Sequence, residues 1–579
     1  MNKLVFKLNN CKKWHIIFAT LIVCLLILLS IRALDEYRWS DWGFGDAQIM
    51  LTLNQWEKEG WFANRFLIIP QGHFKSIRLL DEPELRHHAH GICPGSSWRV
   101  GPRLWYTHYP SLYLMIYALL FKIVSGNIFF IRMLSVFFSI GALILMYILF
   151  SKITSPPISF ITVLFYSLSS SFFGYADAIA DQPITDLLRF SFMLLIVFST
   201  RTQSLRQRKA LMISAWIIEF IASLSSLDSV FFVYLWLIGW DLLERRGFRW
   251  KTYIIFAMAP LIAHFFQFLQ NVWYLGLNNA IMDIKDTYIA RSWLIGGANR
   301  LFIFYRALMK LLYISYKPSG LLVLLFIFYI LYAKFLSDNK NDTELPSLRL
   351  LTLLFLCGLS FVFFVPSIVT MSYEARQITP SIALLTSGVT WSFFKKYNYV
   401  FNYAKKENSL FMHKAAITYI LLSGIVISVF WYYFILSDRK SLYNNIRIKN
   451  HPDVLLAKKI KSIPTKYEAV IFDIGSFQLF WDPTYVLGYP QIHPITEYYI
   501  GSKPILCFTQ PEALVTDLLY MVKRSQYKFS PVLVAGNVTY IDKILNILKE
   551  KEVLKQEPEQ PYVILNKYVL ILTDCLKLQ

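Results

Sequence analysis

Charge is what this chain has least of. Only 16% of its 579 residues are Asp, Glu, Lys or Arg, against about 25% in an ordinary soluble chain. Cysteine is scarce too. There are six, with no C-x-x-C pair and no Cys/His spacing of a zinc site. Cys11, Cys24 and Cys357 fall in or near apolar runs, where a thiol is ordinary packing. Cys93, Cys507 and Cys575 fall outside them. No glycine-rich phosphate loop follows any strand-like run, and no repeat of fixed period exists. Aromatic motifs for stacking RNA bases are missing. These absences exclude a soluble enzyme, a disordered or fibrous protein, and a nucleic-acid partner.

Apolar surface is what the chain has in excess. Hydrophobic residues make up 56% and aromatics 17%, and the mean hydropathy is +0.44. The apolar residues come in runs near the ~20 residues that a membrane-spanning helix needs. Spans are predicted at 15–33, 128–150, 157–174, 184–200, 210–227, 229–243, 252–273, 319–336, 348–366, 378–394 and 414–436. Two further apolar helices, 109–125 and 301–316, are shorter or more amphipathic.

The net charge of +21 reads as the positive-inside bias of a membrane protein and an attraction to anionic headgroups. Four basic clusters are predicted to be cytoplasmic. They are Lys3 to Lys13, Arg201 to Lys209, Arg245 to Lys251 and Lys395 to Lys414. All four fall on one side only if 109–125 and 301–316 stay juxtamembrane or partly inserted. The fold expected is thus a polytopic α-helical membrane protein of about eleven full spans. The first span is read as uncleaved, since no small-residue cleavage site follows it.

The external side then receives a long loop, 34–108, which is too aromatic for disorder. It also receives the C-terminal region. Domains are expected at 1–436, the multi-span body with its large loop, and at 437–579, a soluble extracytoplasmic α/β domain. In the second, the runs at 469–474, 504–508, 531–535 and 562–572 read as strands. Those at 454–463, 511–523 and 540–551 read as helices.

Chemistry-bearing residues gather in the external segments. The first loop opens with Asp35 and Asp41, and Asp46 follows a Gly-x-Gly turn before a helix-like stretch, where an acid also serves as a cap. His108, Tyr109 and Pro110 open the helix to 125, and proline suits a first helical turn. His108 suits a surface position and equally a phosphate contact. Asp177, Asp181 and Asp186 lie at the outer ends of two spans. Asp186 falls inside the second span, where an ionisable group is a functional hypothesis by default. Arg376 lies just before a span and Arg291 in the 274–300 loop. Each fits a snorkelling side chain or a guanidinium fork for phosphate.

This set, in this order, resembles the GT-C membrane glycosyltransferases that use polyprenyl-phosphate sugars. It looks most like the branch of the lipid A aminoarabinose transferases and protein O-mannosyltransferases. The resemblance runs over 15–395 and lies in order and topology. It starts with a first span, then an external Asp46 and a helix reaching Gly60 and Trp61. His108-Tyr109-Pro110-Ser111 stands where the family has Lys or His before two prolines. Tyr175 to Pro183 opens a span, and Arg376 to Pro380 precedes one, with Gln377 where the family has Tyr.

The resemblance implies glycosyl transfer on the external face. Asp46 would take the acceptor's proton, with Asp41 or Asp35 as alternative counterparts and Asp177 as a secondary candidate. Asp181 would orient the acceptor or support the base. Arg376, Arg291, His108 and Tyr109 would hold the departing phosphate. No cofactor is required, although a Mg or Mn ion bridging Asp46 and Asp181 fits the carboxylate chemistry. The partners implied are a polyprenyl-phosphate sugar, a lipid, glycan or protein acceptor, and membrane lipids. The location implied is a bacterial inner membrane with a periplasmic site, with the endoplasmic reticulum as the alternative. A transporter, a polysaccharide polymerase or ligase using lipid-linked substrate, and a membrane anchor remain competing readings. The transporter predicts inverted repeats and midplane charges, neither of which the sequence carries.

Overall fold

The structure is a computed structural model. It describes residues 2–37, 39–40, 43–71, 73–74, 98–100, 103–107, 110–291, 346–364, 376–388, 390–391, 449–450, 452–462, 470–473, 494–500, 505–508, 511–512, 514–515, 532–535, 537–554, 558, 560–564 and 567–572. The chain divides into two compact units. The first is Met1–Asp41, Ile128–Gln267 and Arg291–Tyr443, and the second is Trp42–Asn127, Phe268–Ala290 and Asn444–Gln579. The 436/437 division expected from composition lies close to one of these boundaries. The large loop, however, groups with the C-terminal region rather than with the spans.

The first unit is helical. It holds α1 (Asn2–Leu34), and α2 (Gly43–Glu59) and α3 (Leu112–Ile123) belong to the second unit. The first continues with α4 (Ile128–Ile153), α5 (Pro156–Ser167), α6 (Ser170–Phe173), α7 (Asp181–Arg201), α8 (Leu205–Ser225), α9 (Asp228–Leu243) and most of α10 (Trp250–Leu275). A helix Leu348–Phe364 and one over 376–388 complete its described part. Within 12–34, α4, α7 and α10, four segments are long and apolar enough to cross a membrane. With its shorter apolar helices, this makes the chain an integral membrane protein. The expected spans 319–336 and 414–436 and the helix 301–316 lie outside the described residues.

The core explains why these helices pack. Val136, Leu143, Met146 and Phe150 of α4 meet Phe190, Met193 and Val197 of α7 and Trp236 of α9. The spacing along each helix is three to four residues, the period of one face. Glycine sets one close approach. A Cβ on Gly358 would lie 2.6 Å from the Gln377 carbonyl oxygen, so only glycine lets this helix lie against the start of the 376–388 helix.

One expected span is broken. The run 157–174 forms α5 and α6, not one helix. Ser167 and Ser169 hydroxyls donate to the carbonyls of Leu164 at 3.0 Å and Tyr166 at 2.7 Å. The Ser169 hydroxyl then accepts from the Phe172 N–H at 3.2 Å. These side chains compete with the helical ladder and restart it.

The second unit contains two sheets. Strands β1 (Ile68–Gln71), β3 (Trp98–Val100) and β4 (Arg103–Tyr106) form an antiparallel sheet in the order β1-β4-β3. Strand β2 (His73–Phe74) joins β5 (Val470–Asp473), β6 (Ile505–Phe508), β7 (Val532–Ala535), β8 (Tyr562–Ile564) and β9 (Lys567–Ile571). Their order is β2-β6-β5-β7-β9-β8. The β6, β5 and β7 strands are parallel, and β2 pairs in parallel with β6 through His73 and Ile505. A piece of the long loop therefore extends the C-terminal sheet. The helix Val538–Glu550 buries Ile541, Ile544 and Leu548 with Leu533, Ala535 and Leu570, and Asn537 caps it by accepting from the Thr539 N–H at 3.1 Å.

Candidate functional site

Helices of the first unit alternate in direction, and their ends at one side carry the buried charges. Arg32 ends α1, Arg132 opens α4, and Asp177 lies between α6 and α7. Asp181, Asp186 and Arg189 fall in the first turns of α7, Asp228 starts α9, and Arg376 starts the 376–388 helix. The opposite ends carry Lys12, Lys13, Lys152, Arg201, Arg245 and Arg246.

Nearly every charge in this cluster is committed. Asp186 accepts from Arg376 Nε, from Arg189 Nη1 at 2.8 Å and from the Tyr166 hydroxyl at 2.7 Å. Both Asp186 and Arg376 side chains are only 2% exposed. Asp228 meets Arg189 Nη2 at 3.5 Å and accepts from Gln377 Nε2 at 2.7 Å and from the Ser226 hydroxyl. Asp177 pairs with Arg32, which also donates to the Phe173 carbonyl at 2.6 Å. Buried charges require such partners, because taking an ion out of water costs several kcal/mol.

Asp181 differs. Its carboxylate lies beside Asp228, of like charge, and beside Ser226. Among the described residues no cation lies within ion-pair distance of it. An acid not held by a cation can still accept a proton from a substrate, whereas Asp177 and Asp186 are already engaged. Asp181 is the first residue of α7 and does not cap it. Ala180 is the N-cap of α7, in an extended conformation, so the Asp181 side chain is left for other contacts. Arg132 is the cationic counterpart. Its Nη1 donates to the Asp35 carbonyl at 2.7 Å and it lies 5.5 Å from the Trp39 ring centre. Its Nη2 is buried with no acceptor.

In the second unit, Asp46 falls in the first turn of α2 rather than before it, because the helix starts at Gly43. Its side chain is fully buried and engaged in polar contact. Thr107, next to His108, donates to Asp283 Oδ2 at 2.7 Å, and Asn271 Nδ2 donates to the Thr107 carbonyl at 3.0 Å. Thr107, at the head of the segment expected to meet phosphate, is thus held by α10 and α11 (Leu277–Arg291). His108, Tyr109 and Asp41 lie outside the described residues. Arg291 is the last residue of α11, described by its backbone alone. Asp35 accepts from the Tyr37 N–H at 3.1 Å, a local turn.

The structure therefore ties Arg376 to Asp186, where the sequence suggested a phosphate clamp. It also adds residues that sequence reasoning missed: Arg32, Arg132, Arg189, Asp228 and Tyr166. A signal existed for two of them. Arg189 follows Asp186 by three residues, a helical ion-pair spacing, and Asp228 opens an apolar run as Asp181 does. Nothing local marks Tyr166. Among the described residues, no group of three or more His, Cys, Asp or Glu comes together as a metal site. The nearest approach, Asp181 with Asp228, has one carboxylate already neutralised by Arg189.

Two crystal structures share this fold from end to end. ArnT from Cupriavidus metallidurans bound to undecaprenyl phosphate aligns with a TM-score of 0.54 at 10% identity, covering 96% of this chain and 97% of that one. The apo form of the same protein gives 0.51 at 12% identity, covering 97% and 98%. The sequence itself matches no family model and no curated protein. The chain has the fold of these two structures. In particular it is similar to ArnT, at an identity that establishes the fold and leaves the activity to the site.

Proposed function

We propose that this protein is a glycosyltransferase that moves a sugar from a polyprenyl-phosphate donor to an acceptor on the external face of the membrane. The observation that carries this reading is the end-to-end likeness to an ArnT structure holding undecaprenyl phosphate. Orientation follows from charge. The basic ends of the helices belong in the cytoplasm, which leaves the end bearing Asp181 outside. A bacterial inner membrane with a periplasmic site fits this arrangement, and the donor would be a hexosyl or pentosyl phosphate lipid.

The chemistry divides between acid and cation. The acceptor hydroxyl loses its proton to a carboxylate as its oxygen bonds to the anomeric carbon. The bond from that carbon to the phosphate oxygen breaks, and the electron pair leaves with the phosphate. The developing charge needs cations rather than a proton donor. Asp46 and Asp181 are the candidate carboxylates, with Asp46 as base and Asp181 orienting the acceptor. The scheme requires no metal, and a Mg or Mn ion, where one binds, would add positive charge for the phosphate. The acceptor is a lipid, glycan or protein group.

The test is sugar release from polyprenyl-phosphate sugars by the purified full chain, beside D46N and D181N. We expect each variant to lose about 10²- to 10⁴-fold in kcat, the range of a positioned acid or base, with its thermal unfolding unchanged. Wild-type rates in both variants would remove both carboxylates from the mechanism. No release by wild type from any member of a donor series, with polyprenyl phosphate also failing to bind, would overturn the reading itself.

A further inference from the structure

A second cation stands uncommitted, in the other unit. Arg65 lies in the turn that follows α2. Its guanidinium carbon is 5.8 Å from the Trp273 ring centre and 5.5 Å from that of Tyr274. These two residues end α10, a candidate membrane span. Trp273 is 52% exposed, as aromatics are at the headgroup boundary. The charge is therefore pinned at the level where the phosphate of a membrane-anchored lipid lies. Among the described residues no carboxylate lies within ion-pair distance of Arg65. Its Nη1 donates only to the Ala63 carbonyl at 3.3 Å, and its Nε is buried with no acceptor.

The backbone beneath this charge is strained. Arg65 and Phe66 both adopt left-handed φ, +49° and +57°, a conformation that is unfavourable for a non-glycine residue. The turn is nonetheless fixed from several directions. Gln270 Nε2 donates to the Arg65 carbonyl at 2.8 Å, Asn64 Nδ2 to the Gly60 carbonyl at 2.9 Å, and Trp56 Nε1 to the Leu67 carbonyl at 3.1 Å. An arginine that only snorkels reaches the headgroups by side-chain flexibility and needs no such backbone. Strain held in place by surrounding bonds marks a position where the side chain must point one way.

We propose that Arg65 is the phosphate-binding cation of a lipid-phosphate site, with Trp273 and Tyr274 holding its guanidinium plane. This rests on the glycosyl-transfer reading, and its ligand is the phosphate of the polyprenyl donor. Ring faces orient the fork and leave its edge N–H groups for phosphate oxygens. The assignment moves the phosphate contact from Arg376, which Asp186 already neutralises, to a cation with no carboxylate in ion-pair distance among the described residues.

The experiment uses the full chain in neutral phosphatidylcholine nanodiscs and follows tryptophan fluorescence as ligand is added. The ligands are undecaprenyl phosphate, undecaprenol and phosphatidylglycerol. Wild type should bind the phosphate in preference to the alcohol. R65Q should weaken phosphate binding about 10-fold or more, as loss of a charge-assisted hydrogen bond does, and leave undecaprenol binding unchanged. R65K keeps the charge without the fork and should fall between them, and it decides the matter if R65Q does not fold. Undiminished phosphate binding by the folded variants, with wild type still preferring phosphate, overturns the role of Arg65 and leaves the function standing. Competition by phosphatidylglycerol equal to that of undecaprenyl phosphate makes this an ordinary headgroup contact and overturns the donor assignment. Equal wild-type affinity for phosphate and alcohol overturns the glycosyl-transfer reading, and this inference with it.

Discussion

Two ion pairs in this protein differ in setting rather than in chemistry. Asp186 and Arg376 meet in the helical unit with 2% of each side chain exposed. Glu512 and Lys543 meet in the C-terminal region at 3.2 Å, with 60% and 61% exposed. Water screens the second pair and hydrates either partner if the other is removed. Nothing hydrates the first. The buried pair therefore holds its members by necessity, and Asp181, which has no cation within ion-pair distance among the described residues, stands out against it. Contact alone does not separate structural from chemical charges here. Burial combined with the count of partners does.

The comparison is broken most severely by D186A. That change strands Arg376 in the interior and leaves Arg189 with Asp228 alone, and removing one partner of a buried pair costs about 3–5 kcal/mol. Unfolding of detergent-solubilised protein should show a loss of that size, with D186N recovering part of it through the Tyr166 hydrogen bond. A loss below about 1 kcal/mol would mean that water reaches the cluster. D177A should cost less, about 1.5–3 kcal/mol. Arg32 keeps the Phe173 carbonyl at 2.6 Å and the Phe173 ring at 4.5 Å. If D177A proved as costly as D186A, the two remaining Arg32 contacts would carry no compensation.

The helices were legible because they are long and apolar. The run 184–200 becomes Asp181–Arg201 and 252–273 becomes Trp250–Leu275, since no other element satisfies every backbone group in lipid. The strands near 470, 505, 532 and 562–572 were legible from short β-branched and aromatic runs. Joining β2 to β6 was not, because it pairs residues some 430 positions apart, His73 with Ile505. Local pattern carries no such information. The site divides in the same way. Asp181, Asp186 and Arg376 were visible as charges at span ends, but which acid neutralises which cation depends on how five helices pack.

The break between α5 and α6 offers a finer test. Ser169 holds it by donating to Tyr166 and accepting from Phe172. S169A removes both bonds at a buried position, and about 1 kcal/mol is expected for such a loss. The change should also loosen the Tyr166 backbone beneath the Asp186 contact. Double-mutant coupling between S169A and Y166F measures this, and strictly additive effects would separate the helix break from the charge cluster.

The smallest effect belongs to the exposed pair, and its sign is set. The Glu512 carboxyl lies below the usual carboxylate range, first because its own backbone N–H donates to it and then because Lys543 does. A depressed folded pKa gives stability that is present above the ordinary glutamate range. That stability is lost as the pH falls through the lower, folded value. Any contribution from this pair is therefore present at neutral pH and disappears in acid. It is screened throughout, because both side chains are mostly in water and salt near 0.15 M shortens electrostatic reach to about 8 Å. E512Q should lower the Tm at neutral pH at most slightly, and the difference from wild type should vanish as the pH falls below about 4.5. A neutral-pH shift comparable to that of D177A would show that exposure does not protect this pair, and the contrast between the two regions would then rest on something other than water.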